Sequence, residues 1–251
     1  MNPPTKVKFP DVIVFDVDGV LVDVRGSFQK TTLETVEFFT GKKVSRDELH
    51  EWKNKSGYND DWKLSTAWIH SLGGDAQYDE VKAKFVDLYW GKHGDGNVKN
   101  EKWLLSREAM QTLAQRSELA LFTGRTKSEL EYTLERCNCR TLLSQIVTVE
   151  DVKLPKPDAE GLLKIASGRN PRHILYLGDN VDDALAARSA GIPFAGVLPS
   201  DGEERPRRAK RLQELGALII FSDIKELGPW LLSGSRCNFA NPTGTPPGWW
   251  D

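Results

Sequence analysis

Asp16 and Asp18 stand directly after the apolar run Val12 to Phe15 and are followed by Gly19. A buried strand ending in carboxylates delivers them to its C-terminal end, where open parallel sheets bind ligands. Three later loops bring complementary groups: Thr123-Gly124-Arg125 after LALF, Pro155-Lys156-Pro157, and Gly178-Asp179-Asn180-Val181-Asp182-Asp183 after ILYL. A set of carboxylates, a hydroxyl and an ammonium matches what phosphoryl transfer from a monoester needs. One carboxylate can attack phosphorus and form an acyl phosphate, a second carboxyl group can protonate the leaving oxygen, and cations offset charge on the equatorial oxygens. Converging carboxylates cannot all stay ionised without a counter-charge. A hard divalent cation with oxygen ligands supplies it, so Mg²⁺ is implied.

Each piece alone has an ordinary explanation. D-x-D-G can be a turn, although a calcium loop is excluded because the later EF-hand ligands are missing. Thr-Gly ends many strands, a single lysine is usually solvated, and Asp179 and Asp183 could cap the helix after them. Their succession at the ends of consecutive strands is what favours chemistry.

The elements that must position these residues follow from periodicity. Short apolar runs recur at Leu119 to Phe122, Ile146 to Val149, Ile174 to Leu177, Phe194 to Val197 and, more weakly, Ala217 to Phe221. Helical spacings lie between most of them: Leu105, Ala109 and Leu113; Leu130, Leu134 and Cys137; Leu162, Ile165 and Ala166; Ala184, Leu185, Ala187 and Arg188. Alternating strand and helix predicts a doubly wound parallel α/β sheet. Residues 24–97 break the rhythm with successive helical patterns, such as Leu64, Trp68 and Leu72, or Val81, Phe85 and Leu88, and no convincing strand. This is a helical insertion after the first strand, with the glycines of Gly91 to Asn97 suited to a hinge. The division expected is a core of residues 1–23 and 98–235, a helical cap of 24–97, and an extended tail of 236–251 rich in proline, glycine and asparagine that carries Trp249 and Trp250.

Composition narrows the function. The 251 residues carry 34 Lys and Arg against 36 Asp and Glu, a net charge of −2 that opposes a nucleic-acid partner. No apolar stretch approaches the ~20 residues that span a bilayer, and the opening MNPPTKVKFP lacks the apolar centre of a secretory signal, so a cytoplasmic protein without a membrane partner is expected. Cys137, Cys139 and Cys237 contain no C-x-x-C pair, and His50, His70, His93 and His173 show no metal-binding spacing. Inert thiols and no histidine metal site follow.

With D-x-D-G-V-L, Thr123-Gly124, Lys156 and G-D-x-x-x-D in this order, the chain resembles the haloacid dehalogenase-like superfamily over roughly Asp11 to Leu232, in the subclass whose helical cap follows the first strand. The resemblance implies a Rossmann-like core and assigns Asp16 as nucleophile and Asp18 as general acid and base, its backbone carbonyl also meeting the metal. It makes Thr123, the Gly124 amide and Lys156 the phosphate-binding groups, and places Asp179 and Asp183 with Asp16 at Mg²⁺, Asp179 ahead of Asp183 as direct ligand. A Mg²⁺-dependent phosphatase acting on a small phosphorylated metabolite through an aspartyl-phosphate intermediate is the leading expectation.

The cap should choose the substrate, and the cluster KNKSGYNDDW together with Arg25 offers Arg25, Lys53, Lys55, Tyr58, Asn59 and Trp62. The basic run Arg205, Arg207, Arg208, Lys210 and Arg211 reads as an exposed helix face. A phosphomutase would use the same core residues, and a phosphonatase would need a cap lysine such as Lys53 or Lys55. A dehalogenase would give Asp18 no leaving oxygen to protonate. A receiver-like phosphate acceptor is the non-enzymatic alternative, opposed by the large insertion and by Asp18. The phosphate ester and the oligomeric state are left open by the sequence.

Overall fold

The computed structural model describes residues 9–200 and 204–233. In chain order the elements are β1 (Val12–Phe15), β2 (Val22–Asp23), α1 (Phe28–Thr40), α2 (Arg46–Lys53), α3 (Asp61–Ser71), α4 (Tyr78–Trp90), β3 (Lys102–Trp103), α5 (Arg107–Ala114), β4 (Glu118–Phe122), α6 (Lys127–Cys137), β5 (Gln145–Val147), α7 (Glu160–Ile165), β6 (Ile174–Gly178), α8 (Val181–Ala190), β7 (Phe194–Val197), α9 (Arg205–Glu214), β8 (Ile220–Phe221) and α10 (Leu227–Leu232). Six of the strands form one sheet in the order β5-β4-β1-β6-β7-β8, every neighbour parallel. This is the doubly wound α/β core that the alternation predicts.

β1 lies between β4 and β6, where the winding direction reverses, so the crevice beyond its C-terminal end is the switch point of the sheet. Phe15 pairs with Leu121 on one side and Leu177 on the other, which brings Asp16, Thr123 and Asp179 out at nearly one level. The strands are apolar on both faces because both faces are covered. Ile13 and Phe15 join one core cluster with Leu119, Leu121, Leu175 and Leu177, while Val12 and Val14 join the other with Ala120, Phe122 and Tyr176.

Helices α1 to α4 hold the insertion. Val36, Leu49, Leu64, Trp68, Ile69 and Val81 form a cluster of their own, whereas Phe28, Phe85 and Tyr89 belong to the core cluster. The helical cap is thus fastened to the core by the start of α1 and the end of α4. β2 and β3 pair antiparallel, Val22 with Trp103 and Asp23 with Lys102, so the chain leaves for the cap and returns side by side. Two-residue strands are too short to leave a periodic pattern, and the sequence reading missed both. The glycine-rich stretch after α4 forms a tight turn, with Gly91 N donating to Asp87 O at 2.8 Å and Gly96 N to Trp90 O at 3.0 Å.

Three expected boundaries shift. The strand expected at Ile146 to Val149 is β5, Gln145–Val147, because the Thr148 side chain and Asp151 cap a helical turn that begins at Val149. Leu105 precedes α5, whose cap Ser106 accepts from Ala109 N at 3.2 Å. Only Ile220–Phe221 of the last run pairs as β8. Among the described residues no helix is long and apolar enough to cross a membrane. The expected tail of 236–251, with Trp249, Trp250 and Cys237, lies outside the described residues.

Candidate active site

Asp16 continues β1 by one residue, its backbone N–H donating to Leu177 O at 2.8 Å, and its side chain is buried against Lys156. Lys156 Nζ lies 2.9 Å from Asp16 Oδ1 and 2.8 Å from Asp183 Oδ1, and the ammonium is itself buried. One cation therefore joins two carboxylates from different strands. The other contacts of Asp183 come from its own loop and strand: the Tyr176 hydroxyl donates to Oδ1 at 2.6 Å, and the Asp179 and Asn180 amides donate to Oδ2 at 3.2 Å each. Asn180 caps α8 through Asp182 N and Asp183 N, which fixes how the acidic loop enters the helix.

Carboxylate oxygens of Asp16, Asp179 and Asp183 all lie within 4.8 Å of one another. Burial pushes the Asp16 carboxyl well above the usual carboxylate range, with Lys156 opposing the shift and Asp183 adding to it. Burial likewise raises Asp179 to about 6, against the lowering pull of Arg208. Three oxygen donors at this spacing, under-compensated by Lys156 and Arg208, suit a hard divalent cation. Gly19 completes the cradle: its φ is +76°, and a Cβ there would lie 2.4 Å from Asp179 Oδ2. Only glycine permits that approach.

Thr123 follows β4 and is buried, its hydroxyl accepting from Arg125 N at 3.1 Å. Gly124 faces Asn59 of the cap, whose Nδ2 would be 2.5 Å from any Cβ at that position. Asp18 is turned toward Arg125: the guanidinium Nε and Nη2 donate to Asp18 Oδ1 at 3.0 and 2.6 Å. Glu101 takes the rest of that guanidinium, Nη2 to Oε1 at 2.8 Å and Nη1 to Oε2 at 3.1 Å.

These groups open into a cavity of about 390 Å³ between core and cap, walled by Asp16, Asp18, Gly124, Lys156 and Asp179 from the core and by Lys53, Asn59 and Trp62 from the cap. The loop before α3 is seated on the start of α8: Ser56 Oγ and Gly57 N donate to Asp182 Oδ1 at 2.9 and 3.0 Å, and Asn180 Nδ2 donates to Asn59 Oδ1 at 3.3 Å. Of the proposed selectivity residues, Lys53 is on the wall, held by Asp61 at 2.7 Å. Tyr58 instead stacks edge-on against Trp52, centroids 5.2 Å apart, within the cap cluster. Lys55 sits over the Trp52 ring at 3.7 Å. Arg25 pairs with Asp23 at 2.7 Å and faces a neighbouring cavity of about 380 Å³.

The sequence model of the haloacid dehalogenase-like hydrolases matches residues 13–197. The chain belongs to this family. It is 26% identical over 249 residues to an imidazoleglycerol-phosphate dehydratase of Phytophthora nicotianae, covering 91% of this chain and 55% of that protein. It therefore spans about half of that relative's length. With phosphoglycolate phosphatase 1 of Pseudomonas aeruginosa it shares 23% over 236 residues, 91% of this chain and 82% of the relative. A hydrolase from Pseudomonas syringae superposes with a TM-score of 0.68 at 20% identity, over 89% of this chain and 98% of that one, which is a likeness of fold. The matched residues take in all four of the loops gathered at the switch point.

Several residues at the site escaped the sequence reading. Arg208 Nη2 donates to Asp179 O at 2.8 Å and approaches its Oδ2 at 3.3 Å, and Arg205 Nη2 donates to Ser222 Oγ at 2.9 Å. The basic run is thus exposed only at Arg207, Lys210 and Arg211; Arg205 and Arg208 are half-buried. A signal existed, since 205, 208 and 212 share a helix face and Leu212 is buried. Glu101, Thr133 and Tyr89, which surround Arg125, carry no local pattern that marks them.

Proposed function

We propose that this hydrolase is a Mg²⁺-dependent phosphatase acting on a small phosphorylated metabolite through an aspartyl-phosphate intermediate. The observation that carries the reading is the Lys156 bridge between Asp16 and Asp183 beside Asp179, opening into a cavity that also holds Asp18 and Gly124. Phosphatase relatives and the family motif order support it. In this reading the core, expected as 1–23 and 98–235, handles the phosphoryl group, and the cap, expected as 24–97, meets the rest of the ester. Free thiols at Cys137 and Cys139 suit a reducing cytoplasm.

In this reading Asp16 attacks phosphorus, an acyl phosphate bond forms, and the ester P–O bond breaks. Asp18 gives its proton to the departing oxygen. Water then attacks the acyl phosphate, Asp18 takes the water's proton, and the bond to Asp16 breaks to release phosphate. Thr123 and the Gly124 amide donate to the phosphoryl oxygens, and Lys156 offsets their charge while pulling Asp16 toward its ionised form. Asp16, Asp179 and the Asp18 carbonyl would hold Mg²⁺, with Asp183 orienting the set, and the ion would supply charge stabilisation to the phosphoryl group. Incubation with p-nitrophenyl phosphate and Mg²⁺ tests the whole: sustained release supports the enzyme, whereas one stoichiometric phosphorylation would identify a phosphate acceptor instead.

Turnover is expected to vanish in excess chelator, return with Mg²⁺ and be inhibited by Ca²⁺, which takes more ligands at longer distances. Protons compete for Asp179, whose pKa is about 6. Below that value the carboxyl is protonated and must lose its proton to bind metal, so the Mg²⁺ concentration for half-maximal rate should rise about tenfold from pH 7 to pH 5. Full activity in chelator would reject the metal assignment.

Because the core groups contact only the phosphoryl group, the remainder of the ester falls to the cap wall. Lys53→Ala is expected to change the ranking of phosphorylated sugars, polyols and short acids by kcat/KM while sparing p-nitrophenyl phosphate. Tyr58→Ala, which loses its packing on Trp52, should lower stability and leave the ranking in place. An unchanged ranking for Lys53→Ala would move selectivity to another residue.

A further inference from the structure

Arg125 is 2% exposed, and every nitrogen of its guanidinium is engaged. Nε and Nη2 fix Asp18 Oδ1, Nη1 and Nη2 grip Glu101 side by side, and Nη1 also donates to Thr133 Oγ1 at 2.6 Å. Nothing is left over for a phosphoryl oxygen. Glu101 is equally committed: the Tyr89 hydroxyl donates to Oε1 and the Thr133 hydroxyl to Oε2, each at 2.8 Å. Its side chain is 3% exposed, so it offers no second acid to the cavity.

Neutralising Arg125 requires one carboxylate, and Glu101 provides it. Adding Asp18 leaves the group with a net negative charge, so charge balance does not explain the second contact. Asp18 differs from Glu101 in lining the cavity, with 32% of its side chain exposed, and its Oδ2 accepts no hydrogen bond from the described residues. The planar guanidinium fork sets the direction of the carboxylate and leaves one oxygen facing the substrate side.

The anchor reaches into the cap. Glu101 lies on the return from α4 to β3, Tyr89 belongs to the last turn of α4, and the Phe28 ring at the start of α1 lies 4.9 Å from the guanidinium carbon. Both places where the cap is fastened to the core therefore bear on Arg125.

We propose that Arg125 is a positioning residue for Asp18 and that Glu101 sets Arg125, so that the joint between cap and core aims the acid and base group. This rests on the phosphatase reading. Its signature is dependence on the leaving group, because an aryl oxide departs without a proton and an alkoxide does not.

The test compares kcat and KM for p-nitrophenyl phosphate and ethyl phosphate in wild type, Arg125→Lys and Glu101→Gln. A lysine keeps the charge, but its three donors on one nitrogen cannot reproduce the planar set of five that holds Asp18, Glu101 and Thr133 together. In both variants kcat/KM for ethyl phosphate, which reports the step that needs the acid, should fall roughly 10- to 100-fold, the penalty of a misplaced catalytic group, with a much smaller loss of kcat/KM on the aryl ester. Asp18→Asn should show the same pattern more strongly, and adding Arg125→Lys to it should cost little more, since the two act on one event. If Arg125→Lys does not fold, Glu101→Gln and Tyr89→Phe carry the same comparison. Equal losses of kcat/KM on both esters, or altered thermal stability with unchanged kinetics, would overturn the assignment of Arg125 alone. A wild type that hydrolyses neither ester would overturn the phosphatase reading beneath it.

Discussion

Asp16→Asn is expected to abolish turnover while leaving the fold intact. Asp16 follows β1 directly, its backbone fixed by Leu177 O and its carboxylate 2.9 Å from Lys156, so position and counter-charge are both set before substrate arrives. An amide of the same shape keeps the backbone bond and fills the same space, but it cannot form the acyl phosphate. Replacing one of three clustered carboxylates also lowers their mutual repulsion, so stability should hold or rise. The loss of rate should reach the background of the assay, with circular dichroism and the melting temperature unchanged or higher. Turnover within tenfold of wild type in a folded variant would remove Asp16 as nucleophile.

The fold was legible wherever local pattern and tertiary setting agree. β1 and β7 begin and end where their apolar runs do, because strands covered on both faces must be apolar throughout. β5 was read two residues too far, since Val149 is apolar yet begins a helical turn, and the deciding signal was the Thr148 and Asp151 cap rather than hydrophobicity. The β2 and β3 ribbon is defined by pairing across the whole insertion, which no local window contains. At the sheet's edge, Leu218 N still donates to Phe194 O and Ile219 O accepts from Gly196 N, so the run meets β7 ahead of the two residues of β8.

The site shows the same division. Asp16, Lys156, Asp179 and Asp183 come together as the motifs imply, because each sits immediately beyond or close to a strand end and the register aligns those ends. Arg125 was visible only as the third residue of a loop; its partners come from 101, 89 and 133, and a guanidinium's orientation is set by such partners. Arg208 was read as solvated because a charge run usually is. The helix turns two of its basic residues inward, and one of them meets Asp179. Among the cap residues, composition could nominate Lys53 and Tyr58 together, but only packing separates the wall residue from the one stacked on Trp52.

Lys156→Met should cost both activity and stability, and the stability loss should depend on pH. Lys156 is buried between Asp16 and Asp183, and removing it strands two carboxylates among neighbours that include Asp179. Breaking a buried pair by deleting one partner costs about 3 to 5 kcal/mol, which is the expected loss near neutral pH without metal. Lys156 is the group that pulls the Asp16 pKa down, so its loss drives an already raised carboxyl higher. A carboxyl whose pKa is raised on folding binds its proton more tightly in the folded state than in the unfolded chain. Its stabilising effect is complete below the unfolded value and is lost as pH rises through the folded one. The variant should therefore lie closer to wild type at pH 5 than at pH 8, and a divalent cation should restore more stability to it than to wild type, because the ion replaces part of the missing charge. Turnover should fall by at least ~10²-fold, since the charge that faces the transferring phosphoryl group is gone. Denaturant unfolding at the two pH values, with and without Mg²⁺, reads the prediction. A stability gap that is the same at both would mean that Lys156 does not neutralise the acidic cluster.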